Sequence, residues 1–556
     1  MTRSLARMRR DTAARDIGRT TVTPWVSASL IGAFCATLLA AGVVQHVAEM
    51  PSASPDGEPR SWPQPYDVFR LLPSRAEIAA VGSPRDALRL APSVREITGF
   101  EDALEDASAL DGAILPRAQQ VLSRYLGVGN EQAYLGRDGE MYYRPDVDYA
   151  TGPGFLDAAH LARRVKGGPS WEDVPHGDPL PAIRSLHAAL QARGISLVVV
   201  PVPVKPVLQA QGLAPFAHPR GVAHNPSYAS FIDTLASDGV RAFDATAILA
   251  VTEEAYLRTD THWTPRAVER VAAALAAYTR DEVGLTTRAH AGYARGAEEI
   301  ENIGDVATML KLPPRPGIIA PERVEIRPVA TSTGETWGPD PTARVLLLGD
   351  SFTDIYSLGA MGWGEGAGLA EQLSHALQEP VDRIALNAGG AYAARQELSR
   401  QLMRGDDRLA GKEVVVYQFA VRELYSGDWR VYDMPAPAAG TPGPGRGQVM
   451  AHARVVALSM PPQPGTVPYP DCVIAFHVSD ITAEGGVSAP DEAVVFVWGM
   501  RDNEWTPEAS TAVGAQLRMR LTPWADAEAQ YGSYSRRELD DEDAWLLDVY
   551  WGEILP

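Results

Sequence analysis

The sequence predicts an α/β protein: a parallel sheet with helices on both faces, an N-terminal transmembrane helix and a small C-terminal all-β domain. Three observations predict this architecture. Short all-apolar runs alternate with helix-like periodicity through the middle of the chain, as in parallel sheets covered on both faces. A long uncharged segment follows a cluster of arginines near the N-terminus. In the last hundred residues, strand-like runs follow one another without a strong helix between them.

The N-terminal segment predicts a membrane anchor. Six arginines precede an uncharged stretch, residues 20–45, whose apolar centre at 25–44 is long enough for one membrane span. Because arginine precedes this segment and does not closely follow it, the N-terminus is expected in the cytoplasm and the body in the periplasm. The small residues Ala40-Ala41-Gly42 leave cleavage of the segment open. We therefore predict residues 1–49 as a cytoplasmic tail and inner-membrane, single-pass anchor.

The remaining chain divides by composition. Residues 50–98 begin with Pro, Ser and charge and predict a tether with a helical lead-in, and helix-like periodicity continues to about residue 126. Residues 99–433 carry the α/β pattern. The run MPAPAAGTPGPGRG, at 434–447, predicts a linker, and residues 448–556 predict an all-β accessory domain, either barrel or sandwich.

Individual elements follow from apolar spacing and from the residues that begin and end them. The helix predicted at 265–278, for example, has Thr264 as its N-cap and Pro265 as its first residue. The predicted helices are 181–193, 228–235 and 265–278. The predicted buried strands are 195–201, 240–243, 345–348, 384–386 and 413–417, and the strands of the tail are 449–458, 473–478, 493–498 and 516–521.

Composition argues against several classes of protein. The net charge is −20, from 50 basic and 70 acidic residues, and nucleic-acid binding needs a basic surface. An anionic polymer can bind to a chain of this net charge only through a local basic groove. The two cysteines, Cys35 and Cys472, are too few for a disulfide framework or a cysteine metal cluster. We expect no cofactor and no metal.

A candidate nucleophile follows the strand at 345–348. Gly349-Asp350-Ser351 lies at the carboxyl end of this strand, where parallel α/β sheets form their binding crevice. Backbone N–H groups of a helix starting there can stabilise an oxyanion. The alternative is an ordinary turn in which Ser351 caps the helix.

A candidate acid–base pair lies on one short loop. Asp260 and His262 are two residues apart, so an extended segment points both side chains to one side. Asp260 can then hold the imidazole in one tautomer and stabilise its charged form. Asp173 and His176 form a second Asp-x-x-His pair, but no strand precedes it.

Other residues near strand ends are candidates for the oxyanion hole and substrate groove. Gly389 and Gly390 can bring a backbone N–H close to substrate, and Asn387 offers a side-chain amide. Three further side chains are candidates for contact with a sugar or an anionic group, and one tryptophan for stacking on a sugar ring or packing under a loop. They are Tyr392, Arg395, Arg422 and Trp363.

Two motifs together carry a family resemblance. The pairing of TDTHWTP at 259–265 with LLLGDSF at 346–352 resembles the alginate O-acetyltransferase AlgX/AlgJ family of SGNH hydrolase-like proteins. Three other stretches agree over a match of residues 99–424. They are 134–143, with Glu140 and Met141 in place of Trp and Leu, 302–306, and 417–424, with Gln418 in place of Glu.

The resemblance implies a fold and an activity. Asp260, His262 and Ser351 would form the catalytic triad of an O-acetyltransferase that acts on an exopolysaccharide through an acetyl-serine. The expected partners are a polysaccharide acceptor and a multispanning membrane acyltransferase as acetyl donor. The alternatives are a polysaccharide acetylesterase with the same triad, or a non-catalytic glycan-binding component of a secretion complex. Because Glu140 and Gln418 depart from the family's pattern, the resemblance does not define the details of the substrate groove. The tail does not match the family's carbohydrate-binding module, so glycan binding, support and partner docking all remain open for it.

Overall fold

The computed structural model describes residues 23–49, 97, 108–167, 175–213, 221–286, 288, 292–313, 319–435, 447–465, 467, 469–486, 489–539 and 543–555. The chain divides into two compact units, Met1–Leu115 and Pro116–Pro556. The second unit contains two parts, the α/β body (residues 116–435) and the barrel domain (residues 447–555). These two parts therefore belong to one compact structure.

The first described element is the helix Pro24–Glu49, which contains the predicted membrane segment. Within the described ranges, no helix combines the length and apolar character needed to cross a membrane. The transmembrane part of the predicted fold is therefore not supported. Apart from Ile97, the predicted tether and lead-in at 50–98 lie outside the described residues.

The helical periodicity predicted up to about residue 126 corresponds to helical structure at 109–126, within the described residues. The helix Ala109–Val121 continues as a π-helical turn, Leu122–Leu126. It ends at Gly127, whose φ of 62° is a left-handed conformation that glycine adopts readily. A hairpin of Ala133–Leu135 and Met141–Tyr143 follows.

Five parallel strands form the central sheet, so the predicted parallel α/β fold is confirmed. Each strand overlaps a run predicted from its apolar residues, and the longest ones are almost entirely buried because helices cover both faces. In spatial order the strands are Asp382–Ala385, Val345–Gly349, Val414–Ala420, Ser196–Val202 and Arg241–Ala242.

The helices of the body include all three that the sequence predicts. Thr264 caps its helix as expected, because its side chain accepts a hydrogen bond from the backbone N–H of Ala267. The helices are Arg144–Thr151, Ala158–Gly167, Pro179–Gln191, Lys205–Leu213, Tyr228–Ser237, Thr246–Ala250, Pro265–Asp281, Asp305–Met309, Ser351–Asp354, Leu369–Leu377, Ala393–Met403 and Arg422–Ser426, with a 3₁₀ turn at Gly359–Met361.

Two small antiparallel ribbons interrupt the alternation of strands and helices after residue 292. One pairs Ala294–Arg295 with Val329–Ala330, and the other pairs Glu298–Asn302 with Glu322–Ile326. The sequence analysis did not predict them, since they are short and largely polar. The second ribbon matters because Asp305, which follows its first strand, lies beside the acid–base loop and accepts the backbone N–H of Thr261.

The tail is a closed five-stranded barrel with two short strands added at its edges. The strand Cys472–Ala483 pairs with both Val449–Leu458 and Glu492–Arg501, and this second pairing closes the sheet. The other two barrel strands are Gln516–Pro523 and Asp548–Leu555, and the added strands are Glu504–Trp505 and Arg536–Arg537.

Two features of the barrel domain correct the sequence-based prediction. The helix Trp524–Tyr531 interrupts what was expected to be all strand. It packs through Trp524 on Phe496, with ring centroids 4.9 Å apart. The strand Asp548–Leu555 was missed, although it lies inside the sheet. Its sequence, DVYWGEIL, shows no regular alternation of apolar and polar residues.

The barrel domain packs directly on the α/β body through buried ion pairs. The Arg408 guanidinium joins Asp382 of the central sheet to Glu528 of the barrel domain. Arg536 pairs with Glu397 at 3.1 Å, and both side chains are at most 5% exposed. The predicted linker, 434–447, thus connects two parts that share an interface, although its residues 436–446 lie outside the described ranges.

Candidate active site

Ser351 lies where the strand Val345–Gly349 ends and a short helix begins. The N-cap of that helix is Asp350, whose carboxylate accepts a hydrogen bond from Phe352 N at 2.9 Å. The alternative in which Ser351 itself is the cap is therefore wrong. Ser351 is free to face a cavity of about 290 Å³ that it helps to line.

A buried polar network fixes the turn beneath Ser351. Asp350 also accepts hydrogen bonds from the side-chain amide of Gln418, at 2.9 Å, and from the backbone N–H of Ala420, at 2.8 Å. The amide oxygen of Gln418 accepts in turn from Thr353 Oγ1, at 2.7 Å. A neutral amide can donate to one partner and accept from another, which a carboxylate cannot do. Gln418 thus supports the turn and does not line the cavity.

Three side chains form a hydrogen-bonded chain that ends at the cavity. His262 Nε2 lies 2.9 Å from Ser351 Oγ. His262 Nδ1 lies 2.6 Å from Asp260 Oδ1. All three side chains are buried to within a few per cent of their surface. The structure thus brings together the three residues that the two motifs predict.

The acid and base meet through a turn and not through the extended segment that was expected. Asp260 Oδ1 also accepts the backbone N–H of His262, at 3.0 Å, which is a local side-chain-to-backbone turn typical of Asp. The flanking residues Tyr256 and Trp263 form an isolated antiparallel bridge. Trp263 Nε1 donates to the carbonyl of Phe352 at 3.0 Å, which joins the acid–base loop to the serine helix.

The second oxygen of Asp260 is also fully engaged. Asp260 Oδ2 accepts Trp363 Nε1 at 2.9 Å and the backbone N–H of Asp305 at 3.0 Å. Burial alone raises the pKa of Asp260, but the charge of His262 and the hydrogen bonds from His262 and from the backbone of Asp305 hold it below its usual range. Burial opposes a charged His262, yet Asp260 raises the pKa of the imidazole above its ordinary value. The pair therefore favours an ionised carboxylate beside an imidazole that is more basic than that of an ordinary histidine.

Asp305 is a second carboxylate at the base. Its oxygens accept the backbone N–H and the hydroxyl of Thr261, at 2.8 and 2.7 Å, and Oδ2 lies 3.7 Å from His262 Nδ1. Burial, with the nearby charge of Asp260, raises the pKa of Asp305 to about 7. Gly304 precedes it, and a Cβ there would lie 2.4 Å from the backbone of Thr259. Only glycine allows this close approach.

Asp260, His262 and Asp305 offer possible metal-ligand atoms within 4.8 Å of one another. Both oxygens of each carboxylate already accept hydrogen bonds from the protein. These donors suit an acid–base pair better than a cation, because N–H and O–H groups point at the oxygens that a metal would need.

Three backbone N–H groups at the cavity are available as oxyanion donors. Within the described part of the chain, the backbone N–H groups of Ser351, Ala388 and Gly390 have no hydrogen-bond partner, and all three residues line the cavity together with Asn387. Ala388 has a φ of 58°, a left-handed conformation that costs a residue with a Cβ about 1–3 kcal/mol. Gly389, by contrast, bonds to Leu386 and lines an adjoining cavity.

The cavity combines an apolar wall with a neutralised arginine. Met309, Ile355 and Met361 supply the apolar part. Arg422 lines the cavity as predicted, and its guanidinium pairs with the buried Asp146 at 3.1 Å. The carboxylate of Asp146 thus already balances the positive charge of Arg422. Contact of Arg422 with an anionic group of the substrate stays a prediction.

Three of the predicted groove residues do not line the cavity. Trp363 is fully buried and supports Asp260, so its role as a sugar platform is wrong. Arg395 is 1% exposed, and its guanidinium donates to the Tyr417 hydroxyl at 3.0 Å and to the carbonyl of Arg430 at 2.8 Å. Tyr392 lines the adjoining cavity. The sequence placed Tyr392 and Arg395 after strand ends and Trp363 in a glycine-rich stretch, but it could not show which way these side chains point.

The competing pair lies away from the serine. His176 contacts Asp428 at 3.3 Å and is mostly exposed, while Asp173 lies outside the described residues. Glu140 does not line the cavity either. Its carboxylate pairs at 2.6 Å with Lys205. The ammonium of Lys205 also donates to the carbonyls of Met141, Leu257 and Arg258, behind the acid–base loop.

Sequence reasoning missed several cavity residues. Tyr143 and Asp305 lie in stretches that carried the family resemblance, but nothing in their local pattern indicated a role. Tyr469 belongs to the barrel domain and yet lines the cavity of Ser351. No spacing signal connects it with a serine more than a hundred residues earlier.

The chain was compared with known families and proteins. Residues 169–421 match the family described as SGNH hydrolase-like domain, acetyltransferase AlgX. "Probable alginate O-acetylase AlgJ" of Pseudomonas aeruginosa is 28% identical over 174 residues, which are 30% of this chain and 44% of that protein. The protein of the same name from Pseudomonas syringae pv. tomato is 28% identical over 186 residues, 32% of this chain and 47% of that protein. The chain thus spans less than half the length of these relatives.

Two solved structures are similar to parts of the chain. The O-acetyltransferase domain of Pseudomonas putida AlgJ has a TM-score of 0.39 and 22% identity, and covers 52% of this chain and 91% of that one. Pseudomonas aeruginosa AlgX has a TM-score of 0.36 and 15% identity, and covers 66% and 75%. The match over residues 169–421, together with the two motifs inside it, supports an AlgX/AlgJ-type domain of the SGNH hydrolase-like family in this part of the chain.

Proposed function

We propose that this chain is an O-acetyltransferase that acetylates a hydroxyl group of an exopolysaccharide through an acetyl-serine at Ser351. The observation that carries the proposal is the hydrogen-bonded chain from Asp260 through His262 to Ser351, which opens on a cavity. A nucleophile, a base and an orienting acid in this geometry are the parts needed for acyl transfer. The relatives named as alginate O-acetylases support the same reaction.

In the first half-reaction Ser351 takes the acetyl group. His262 Nε2 accepts the serine proton as Oγ attacks the acetyl carbonyl, while Asp260 stabilises the charged imidazole. The oxyanion forms opposite the free N–H groups of Ser351, Ala388 and Gly390. When the intermediate collapses, His262 gives its proton to the leaving group and the acetyl ester of Ser351 remains.

In the second half-reaction a sugar hydroxyl replaces the leaving group. His262, now neutral, accepts its proton as the sugar oxygen attacks the ester, and the proton returns to Ser351 Oγ. The apolar side chains of Met309, Ile355 and Met361 suit the acetyl methyl. Transfer exceeds hydrolysis when the acceptor is held in place, because effective molarities of oriented groups reach about 10⁵ M or more.

Location and partners belong to the proposal. The arginine-flanked apolar segment at 25–44 supports a body that works in the periplasm, attached to the inner membrane. A polysaccharide is the acceptor, and a multispanning membrane acyltransferase is the proposed source of acetyl. The acidic net charge gives no support for a nucleic-acid partner.

The decisive experiment supplies an activated acetyl ester, p-nitrophenyl acetate, and candidate oligosaccharides, and follows both products. Mass spectrometry of the sugars measures transfer, released acetate measures hydrolysis, and released p-nitrophenol measures total turnover. Acetylated oligosaccharide that is absent with Ser351→Ala is the expected result. Acetate release at a rate that no acceptor alters would make the chain an acetylesterase. Oligosaccharide binding without turnover of any ester would make it a non-catalytic glycan-binding protein.

A further inference from the structure

The cavity in front of Ser351 is not built by the α/β body alone. Tyr469, from the barrel domain, is one of its lining residues, together with three residues of the loop 386–390. This loop carries Asn387 and the oxyanion donors Ala388 and Gly390. One side of the candidate active site is therefore supplied by the part of the chain that follows the linker.

The barrel domain also holds the oxyanion loop. The backbone N–H of Asn387 donates to the carbonyl of Ser533 at 3.2 Å, and the hydroxyl of Ser535 lies 3.4 Å from the carbonyl of Asn387. Ser535 is itself bound to the barrel through its carbonyl, which accepts Val473 N at 2.9 Å. The loop is thus fixed from two sides, by strand Asp382–Ala385 and by the barrel.

A second cavity, of about 150 Å³, adjoins the first. Asn387, Ala388 and Tyr469 line both cavities. Tyr392 and Arg537 add an aromatic ring and a guanidinium to the second one. Among the described residues, Arg537 has no carboxylate within ion-pair distance, although most other charged side chains of this interface are paired.

Tyr469 is suited to contact a sugar. The side chain is only partly buried, and both Tyr469 and Arg537 line the second cavity. Burial, with the nearby Cys472, raises the pKa of Tyr469, so the hydroxyl stays protonated near neutral pH. An aromatic ring with a protonated hydroxyl offers both an apolar face and a hydrogen-bonding group. A sugar ring presents the complementary pair of surfaces, with C–H groups on its faces and hydroxyls on its edge.

We propose that the barrel domain forms part of the acceptor site: a sugar ring of the acceptor packs on Tyr469 beside Ser351, and the glycan continues into the adjoining cavity past Tyr392 and Arg537. This inference rests on the proposed acetyl transfer, because Tyr469 is proposed to hold the sugar that accepts the acetyl group. It assigns the barrel a direct part in acceptor choice, beyond support of the body.

The test compares transfer with hydrolysis in variants of the full chain. Tyr469→Ala is expected to lower the ratio of oligosaccharide acetylation to p-nitrophenyl acetate hydrolysis by about tenfold, the scale of one lost aromatic contact. Tyr469→Phe keeps the ring and is expected to retain most of the ratio. Tyr531→Ala is the matched control, because Tyr531 is a barrel tyrosine that lines neither cavity. An unchanged ratio in Tyr469→Ala would overturn the inference.

A binding measurement separates this inference from the transferase proposal. In the inactive Ser351→Ala background, calorimetry with an oligosaccharide is expected to show binding that weakens about tenfold with the added Tyr469→Ala change. If the wild-type chain hydrolyses esters but transfers to no sugar, the transferase proposal fails, and this measurement still decides the inference. Equal affinity with and without the Tyr469 ring would contradict it.

Discussion

The indole Nε1 of Trp363 donates a hydrogen bond to Oδ2 of Asp260, 2.9 Å away, and both side chains are buried. The same carboxylate binds His262 through its other oxygen. Trp363 therefore fixes the rotation of the acid, and through it the imidazole, without reaching the cavity.

Trp363→Phe is expected to lower kcat without raising the KM for acceptor. The ring still fills its space, but Asp260 loses a hydrogen bond to a charged group, a loss of about 1.5–3 kcal/mol. This corresponds to a fall of roughly 10- to 100-fold if the whole effect appears in the transition state. Steady-state kinetics with varied oligosaccharide measures both parameters. A rise in KM at constant kcat would instead favour the sugar platform that the sequence suggested.

The three residues of the hydrogen-bonded chain are expected to act as one unit. Ser351→Ala and His262→Ala should each lower the turnover of an activated acetyl ester by about 10³-fold or more. The double variant should lose little more than either single one, because both residues serve the same step. His176→Ala is the control, since that ring is mostly exposed and contacts Asp428. Loss of activity in His176→Ala with full activity in His262→Ala would reverse the assignment.

The pH dependence of ester turnover is expected to report His262. Catalysis needs the neutral imidazole, and Asp260 raises its pKa above the ordinary value. The rate should therefore rise with pH and level off only above the pKa of an ordinary histidine. Asp305→Asn removes a second carboxylate that also raises this pKa, so the rising limb should move to lower pH. Asp428→Asn, beside His176, should leave the limb where it is.

The interface between body and barrel is expected to depend on Arg408. Arg408→Met leaves Glu528 and Asp382 buried, although Lys412 still pairs with Asp382 at 3.0 Å. Removing one partner of a buried ion pair costs about 3–5 kcal/mol, and urea unfolding measures the loss in the free energy of unfolding. Arg518→Met is the control, because its pair with Glu484 is exposed. Equal unfolding midpoints for the two variants would show that the buried pairs do not hold the barrel.

The predicted location has a direct test. An enzyme reporter that is active only in the periplasm, fused after Pro556, should be active in the full chain. The same fusion without residues 1–49 should be inactive, because those residues carry the arginines and the apolar segment. Activity of a cytoplasm-only reporter at the same position would show that the body stays inside the cell.

The central sheet could be predicted from the sequence because its information is local. A parallel strand covered on both faces must be apolar along its whole length, and Val414–Ala420 is such a run. Thr264 and Pro265 marked a helix start through their own backbone chemistry. The two motifs predicted Asp260, His262 and Ser351, through the strand end before Ser351, the spacing of Asp260 and His262 on one loop, and the family resemblance.

The tertiary structure alone decided the surroundings of those three residues. Trp363, Arg395 and Tyr392 follow strands or turns in ways that look alike in sequence, yet they point to the acid, to the core and to a second cavity. Asp305 and Tyr469 come from distant segments that meet the site only when the chain is folded. Local patterns determine which residues form strands and helices, whereas the direction of a side chain depends on contacts between segments far apart in sequence.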